Sequence, residues 1–139
     1  MREILFRAKR KDNGKWVYGD LLHPDLYGNS YAIEDFTKGK NNCFDIDENT
    51  ICEYTNLKDK NGTKIFESDI ILFEDESPMN YEYHDCTEMR CGVIEFSGGE
   101  FYLTNRIAVS MDDLIYDETL EGQVIGNKFD NPELLEGAR

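Results

Sequence analysis

Three short turn signals, each set between stretches of alternating apolar residues, constrain this chain more than any other feature of its sequence. Asn13-Gly14 separates Ile4–Lys9, where Ile4, Phe6 and Ala8 alternate with Leu5, Arg7 and Lys9, from Trp16, Val17 and Tyr18. Asn61-Gly62 stands between Ile51–Tyr54 and Ile65-Phe66, and Ser97-Gly98-Gly99 between Gly92–Phe96 and Glu100–Leu103. Asn-Gly and Gly-Gly supply the positive φ angles that a tight reversal needs, and β-branched and aromatic residues fit the pleated flanks, so each signal predicts a hairpin. Asp69–Phe73 and Gln123–Asn127 read as further strands, Tyr31–Phe36 as a short edge, and Lys38–Asn42 as a polar loop. Met111–Tyr116 fits either a strand or a helical turn begun at Ser110. Asn131-Pro132 before Glu133-Leu134-Leu135 has the form of an N-cap followed by proline at the first helical position. The pattern predicts a mainly β fold, with room for a β-rich α+β variant: small twisted or barrel-like antiparallel sheets built from hairpins, closed by a short C-terminal helical turn.

A chain of 139 residues suits one domain, here 1–139, and its 40% hydrophobic content is too high for a disordered polymer in spite of the charge. That charge is −14, from 15 Lys and Arg against 29 Asp and Glu. Residues 1–20 run against the trend with six bases (Arg2, Arg7, Lys9, Arg10, Lys11, Lys15), a solvated strand face that leaves the other residues at −17. Glu67–Glu88 holds eight acids and neither Lys nor Arg, a field that repels a phosphate backbone and argues against direct nucleic-acid binding. Pro78 lies inside the acidic, aromatic run 74–91, which predicts a flexible excursion. With neither a membrane-spanning apolar run nor the apolar core of a secretory signal, the expected setting is the cytoplasm, with no membrane contact.

The chemistry-bearing residues form no recognisable machinery. Cys43, Cys52, Cys86 and Cys91 lack the paired close spacing of a zinc knuckle, and free thiols are expected, with a metal site or disulfides as the open alternatives. Asp45-x-Asp47-x-Asn49 starts like a calcium loop, but Thr50 stands where the loop needs Gly and Asn56 where it needs Glu. Asp59-x-Asn61-Gly62 reads as turn chemistry. His23 and His84 are general-base candidates by residue type only, and no spacing singles out a carboxylate pair. No catalytic residue, metal or cofactor is therefore expected. Tyr81 and Tyr83, beside Glu74, Asp75 and Glu76, are the candidate partner contacts, because amphipathic rings give contact area at little ordering cost.

Taken in order, Met1–Ala8, Tyr54–Gly62 through Ile65–Ile71, Gly92–Phe96 with Gly99–Leu103, and Val124–Asn127 with Asn131–Leu135 resemble the YopX family of phage and prophage proteins. These blocks cover about half of the chain and both of its ends, and leave out 23–50 and 74–91. Family members usually carry Gly where this chain has Asn56 and Ser68, a departure that bears on local turn geometry. The resemblance implies a small β-rich accessory protein without an established activity and brings no site residues with it. The expected function is accordingly non-enzymatic, through contacts with a host or phage protein or with a second copy of the chain, since small sheets with open edges are often completed by a copy of themselves. The alternatives are an acidic decoy that occupies a host DNA-binding protein and a metal-dependent enzyme.

Overall fold

The computed structural model describes residues 3–24, 30–35, 42–75, 88–104 and 115–136. The chain forms two compact units, Met1–Tyr54 and Thr55–Arg139.

In the N-terminal unit, β1 (Phe6–Lys9), β2 (Trp16–Leu22), β3 (Ala32–Glu34), β4 (Cys43–Asp45) and the start of β5 (Cys52–Asp59) pair antiparallel in the order β5-β1-β2-β3-β4. The register sets Ala8 opposite Val17 and Ile33 opposite Phe44. Because side chains alternate between faces, this gathers Ala8, Val17, Ile33 and Ile46 into one core, with Phe6, Leu21, Tyr31 and Ile51 packed around it. A 3-10 turn over Glu48–Thr50 is capped by Asp47, whose Oδ1 accepts from the Asn49 amide at 3.0 Å. Buried Thr50 ties this turn to β1: its Oγ1 accepts from the Lys9 amide at 2.8 Å and donates to the Asp47 carbonyl at 2.7 Å. The expected strand 31–36 narrows to Ala32–Glu34, and Cys43–Asp45 is a strand that the sequence pattern does not announce.

The C-terminal unit holds the rest of β5, then β6 (Lys64–Phe66), β7 (Asp69–Asp75), β8 (Glu88–Ser97), β9 (Glu100–Leu103), β10 (Ile115–Tyr116), β11 (Thr119–Leu120), β12 (Gln123–Asn127) and α1 (Glu133–Glu136). Strands β12-β7-β8-β9 make an antiparallel four-stranded sheet. The later residues of β5 pair with β6 and, in parallel, with β11, which forms a hairpin with β10. Ile71, Phe73, Ile94 and Leu103 from one face of the four-stranded sheet meet Ile65 and Leu120 to form the core, and α1 packs on β8. Among the described residues the sheets are open at their ends and not closed into a barrel.

The three expected hairpins form, with one correction to their chemistry. In both Asn-Gly turns the positive φ falls on the glycine alone, +70° at Gly14 and +85° at Gly62. Only Gly98-Gly99, at +63° and +86°, makes the mirror-image two-residue turn in which both residues are left-handed. The same geometry recurs unannounced at Asp117 (+53°) and Glu118 (+63°), between β10 and β11. Asn56 and Ser68, where the family usually has Gly, sit at +67° and +76°. A second correction concerns the run 74–91. Glu74 and Asp75 end β7, and Glu88–Cys91 begin β8, paired with them, so both ends of the expected excursion are ladder, while 76–87 lies outside the described residues.

Candidate functional site

The carboxylates most deeply held in the fold are committed to backbone. Asp59, 2% exposed, accepts at Oδ1 from the amides of Asn61 and Thr63, both at 2.9 Å, and at Oδ2 from the Val124 amide at 2.9 Å. One side chain thus closes the Asn61-Gly62 turn and fastens it to β12. Asp69, equally buried, accepts from the Phe66 amide at 2.7 Å and tightens the reversal through Ser68. Amide donors satisfy a carboxylate in the interior, so these two side chains act first as turn fasteners. Asp47 is likewise a cap, which accounts for the calcium-like spacing as local turn chemistry. Among the described residues no three His, Cys, Asp or Glu side chains gather as metal ligands would.

Cys43 is exposed, Cys52 buried and Cys91 half-buried; Cys86 and His84 lie outside the described residues. The Cys52 thiol donates to the Thr50 carbonyl at 3.3 Å, and burial holds the Cys91 thiol above its ordinary range. His23 is exposed and stands 5.5 Å from the Tyr31 ring, centroid to centroid.

Cations of the N-terminal unit are laid on aromatic rings. The Arg7 guanidinium lies 4.6 Å from the centroid of Trp16, with the Lys9 ammonium 5.5 Å from the same ring. Arg10 stacks 4.2 Å over Phe44 while its Nε and Nη2 donate to Asp12 at 2.9 and 2.5 Å. That pairing holds the Asp12 carboxyl below the usual carboxylate range. An open groove of about 390 Å³, lined by Arg10, Lys11, Asp12, Cys43, Phe44 and Asp45, carries two charges of each sign.

Of the expected contact residues, Tyr81, Tyr83 and Glu76 lie outside the described residues, and Asp75 is placed only as strand backbone paired with Glu88. Glu74 is exposed on β7, directly opposite Met89. Around it the four-stranded sheet presents a face that sequence reasoning missed. Cross-strand partners share a face, so Glu74 and Met89, Leu72 and Cys91, Ile70 and Val93, Glu95 and Tyr102, and Ser97 and Glu100 all point away from the Phe73–Ile94 core; Ile70 and Val93 are buried, so this side is covered between its Met89 and Tyr102 ends. Met89 is 54% exposed and Tyr102 40%, and strands β7, β8, β9 and β12 place no Lys or Arg on this side. Arg90 falls on the other side, opposite Phe73. The alternation in Met89–Glu95 was the available signal, obscured because Met89 and Cys91 stood inside the run read as an excursion.

Fold and surface together define a class: a hairpin-built, antiparallel β protein of two units whose buried acids hold turns and whose exposed apolar groups lie among carboxylates. The YopX protein family matches residues 5–136, and the chain belongs to that family. No curated protein matches the chain. Protein EF1440 from Enterococcus faecalis, known from its crystal structure, has a similar fold at a TM-score of 0.60 and 23% identity, over 97% of this chain and 99% of that one. No helix among the described residues is long and apolar enough to cross a membrane.

Proposed function

We propose that this YopX-family chain is a phage or prophage accessory protein that works inside the bacterial cell by contact with a cationic protein, not by catalysis. The observation that carries the reading is the distribution of charge. The N-terminal unit holds 8 Lys and Arg against 10 Asp and Glu, whereas the C-terminal unit holds 7 against 19, a net charge of −12. A surface so far from neutrality raises the encounter rate with a basic partner and opposes association with a copy of itself, which favours the decoy-like form of the reading over a homo-oligomer. Asp59 accepts amides at both of its oxygens and Asp69 at Oδ2, so both side chains already serve the turns, which does not favour the catalytic alternative.

The test is affinity capture from a lysogenic host followed by rebinding with each captured protein in purified form. A basic protein should rebind, with affinity falling steeply as salt is raised, and the chain alone should scatter light as a monomer at low and high salt. Salt-resistant self-association with no rebinding partner would overturn the proposal.

A further inference from the structure

We infer that Asn13 is a site of spontaneous covalent modification, converting in the folded chain to aspartate and isoaspartate well ahead of Asn61, with water as the co-reactant. The change needs no partner and stands apart from the proposed function.

Asn13 and Asn61 are the two asparagines followed by glycine, and both turns are exposed. Without a Cβ, a glycine lets its amide nitrogen approach the preceding side chain closely. At Asn13 the Gly14 amide gives its proton to solvent hydroxide and its nitrogen bonds to Asn13 Cγ. The bond from Cγ to the side-chain nitrogen breaks, and that nitrogen leaves as ammonia. Water then opens the cyclic imide at either carbonyl, giving aspartate or isoaspartate.

The surroundings separate the two sites. As the Gly14 nitrogen attacks, negative charge develops on Asn13 Oδ1, and the Lys15 amide already donates to that oxygen at 2.9 Å. The Gly14 amide donates to the Arg10 carbonyl at 2.9 Å and the Gly62 amide to the Asp59 carbonyl at 3.0 Å, so each turn must open locally before its glycine can attack. Asn61 sits in the tighter turn. Asp59 Oδ1 holds the amides of Asn61 and Thr63, both at 2.9 Å, while its Oδ2 is anchored on the Val124 amide. Its carboxylate also opposes an amide anion beside it, whereas Asp12, the carboxylate next to Asn13, is paired with Arg10. Flanking lysines do not decide the matter, since Lys11 and Lys15 stand beside one site and Lys60 and Lys64 beside the other. Conversion adds a carboxylate to the N-terminal unit, and isoaspartate lengthens the backbone by a methylene within the turn that sets Lys9 opposite Trp16.

The test incubates the full chain at mildly alkaline pH and follows both sites by timed peptide mapping in a mass spectrometer. Asn13 should convert about tenfold faster than Asn61 in the folded chain, because opening the second turn also takes two amides from a carboxylate. In urea, where both turns are lost, the two rates should agree to within about twofold. Asp59→Asn, which keeps an acceptor oxygen, should speed conversion at Asn61 several-fold and leave Asn13 unchanged. Asn13→Gln should remove the early release of ammonia, together with the accompanying drift in emission from Trp16, the chain's one tryptophan. Equal rates at the two sites in the folded chain, or Asn61 ahead, would overturn the assignment. A tenfold ratio that persists in urea would overturn it as well, since the selectivity would then belong to the flanking sequence and not to the fold.

Discussion

The two units are built from the same hairpin grammar and differ in how they hold their charge, although each buries at least one carboxylate, Asp35 in the first and Asp59 and Asp69 in the second. In the N-terminal unit the cations of one strand lie over rings: Arg7 and Lys9 over Trp16, and Arg10 over Phe44. In the C-terminal unit two acids go inside, where Asp59 and Asp69 take backbone amides, and acids outnumber cations by 12 over the unit as a whole. The contrast separates two uses of charge. Arg7 is itself buried, 6% exposed, so its ring contact helps to hold a cation in the interior, whereas half-buried Lys9 keeps its stem packed and its interaction modest and local. A buried carboxylate bonded to several amides fixes turns distant in sequence, and its loss strands each donor in the interior.

The largest effect should come from Asp59→Ala, which leaves the amides of Asn61, Thr63 and Val124 without their acceptor. At roughly 1–3 kcal/mol for each buried donor deprived of its partner, partly recovered by water at the turn, destabilisation of about 3 kcal/mol is expected in a urea titration. Amide exchange should locate the damage around 59–63 and β12. A loss no greater than that of an exposed acid would erase the distinction between the units. The matching change in the N-terminal unit, Trp16→Leu, removes the ring beneath Arg7 and Lys9 but retains an apolar side chain, and should cost about 1–2 kcal/mol, with the added exchange confined to β1 and β2.

Backbone strain also falls on the acidic side. Ser68 is 4% exposed at φ +76°, where its amide donates to the Ile94 carbonyl at 2.6 Å and its carbonyl accepts from the Lys128 amide at 3.0 Å. Left-handed backbone costs an L-residue roughly 1–2 kcal/mol, and glycine gives back part of the relief through its freer unfolded chain. Ser68→Gly should therefore stabilise by about 0.5 kcal/mol, whereas Asn56→Gly should change little because Asn already tolerates this region. Equal gains at the two positions would show that the φ angle alone, and not the tolerance of the asparagine side chain for it, sets the cost.

How much of this was legible follows from the range of each interaction. The hairpins at Asn13-Gly14, Asn61-Gly62 and Gly98-Gly99 are local chemistry and could be read directly, as could β12 and the helical turn after Pro132. The Asp117-Glu118 turn was hidden because neither residue advertises a positive φ. Asn131 was read as a cap for the helix that follows, but its Oδ1 accepts from the Asn127 amide behind it, at 3.2 Å. Asp59 was legible as a turn residue, while its bond to Val124, 65 positions away, depends on tertiary pairing that no local pattern encodes. The Met89–Cys91 part of the sheet was lost for a different reason: the acids of 74–91 mark a solvated stretch by composition, whereas β7 and β8 continue into it by backbone pairing, Glu74 with Met89 and Asp75 with Glu88.

Thiol reactivity offers a further comparison of the units. Thiolate is the reacting form, so exposed Cys43 should label within the ordinary rate for a free thiol, whereas Cys91, its ionisation opposed by burial, should label more slowly and Cys52 slowest of the three. Peptide mapping after timed alkylation resolves each site. Because the native state holds the Cys91 proton more tightly than the unfolded chain does, this residue's contribution to stability is complete below the ordinary thiol range and declines as pH rises through it. Labelling of Cys91 as fast as Cys43 would show that burial does not oppose its ionisation.

The smallest effect belongs to Asp12, on the surface of the N-terminal unit. Its hydrogen bonds from Arg10 lower the carboxyl's pKa from the usual 3.8, and the sign fixes the pH window: any contribution to stability is present above the ordinary value and disappears as acid protonates the folded carboxylate. Both partners face solvent, so salt should screen the pairing. A titration followed by carboxyl chemical shift should give a midpoint below 3.8 at low salt, returning toward it at high salt and in Arg10→Gln. If the midpoint stays low in Arg10→Gln, the turn amides and not the guanidinium hold Asp12, and the N-terminal unit then uses a carboxylate in the same manner as its neighbour uses Asp59.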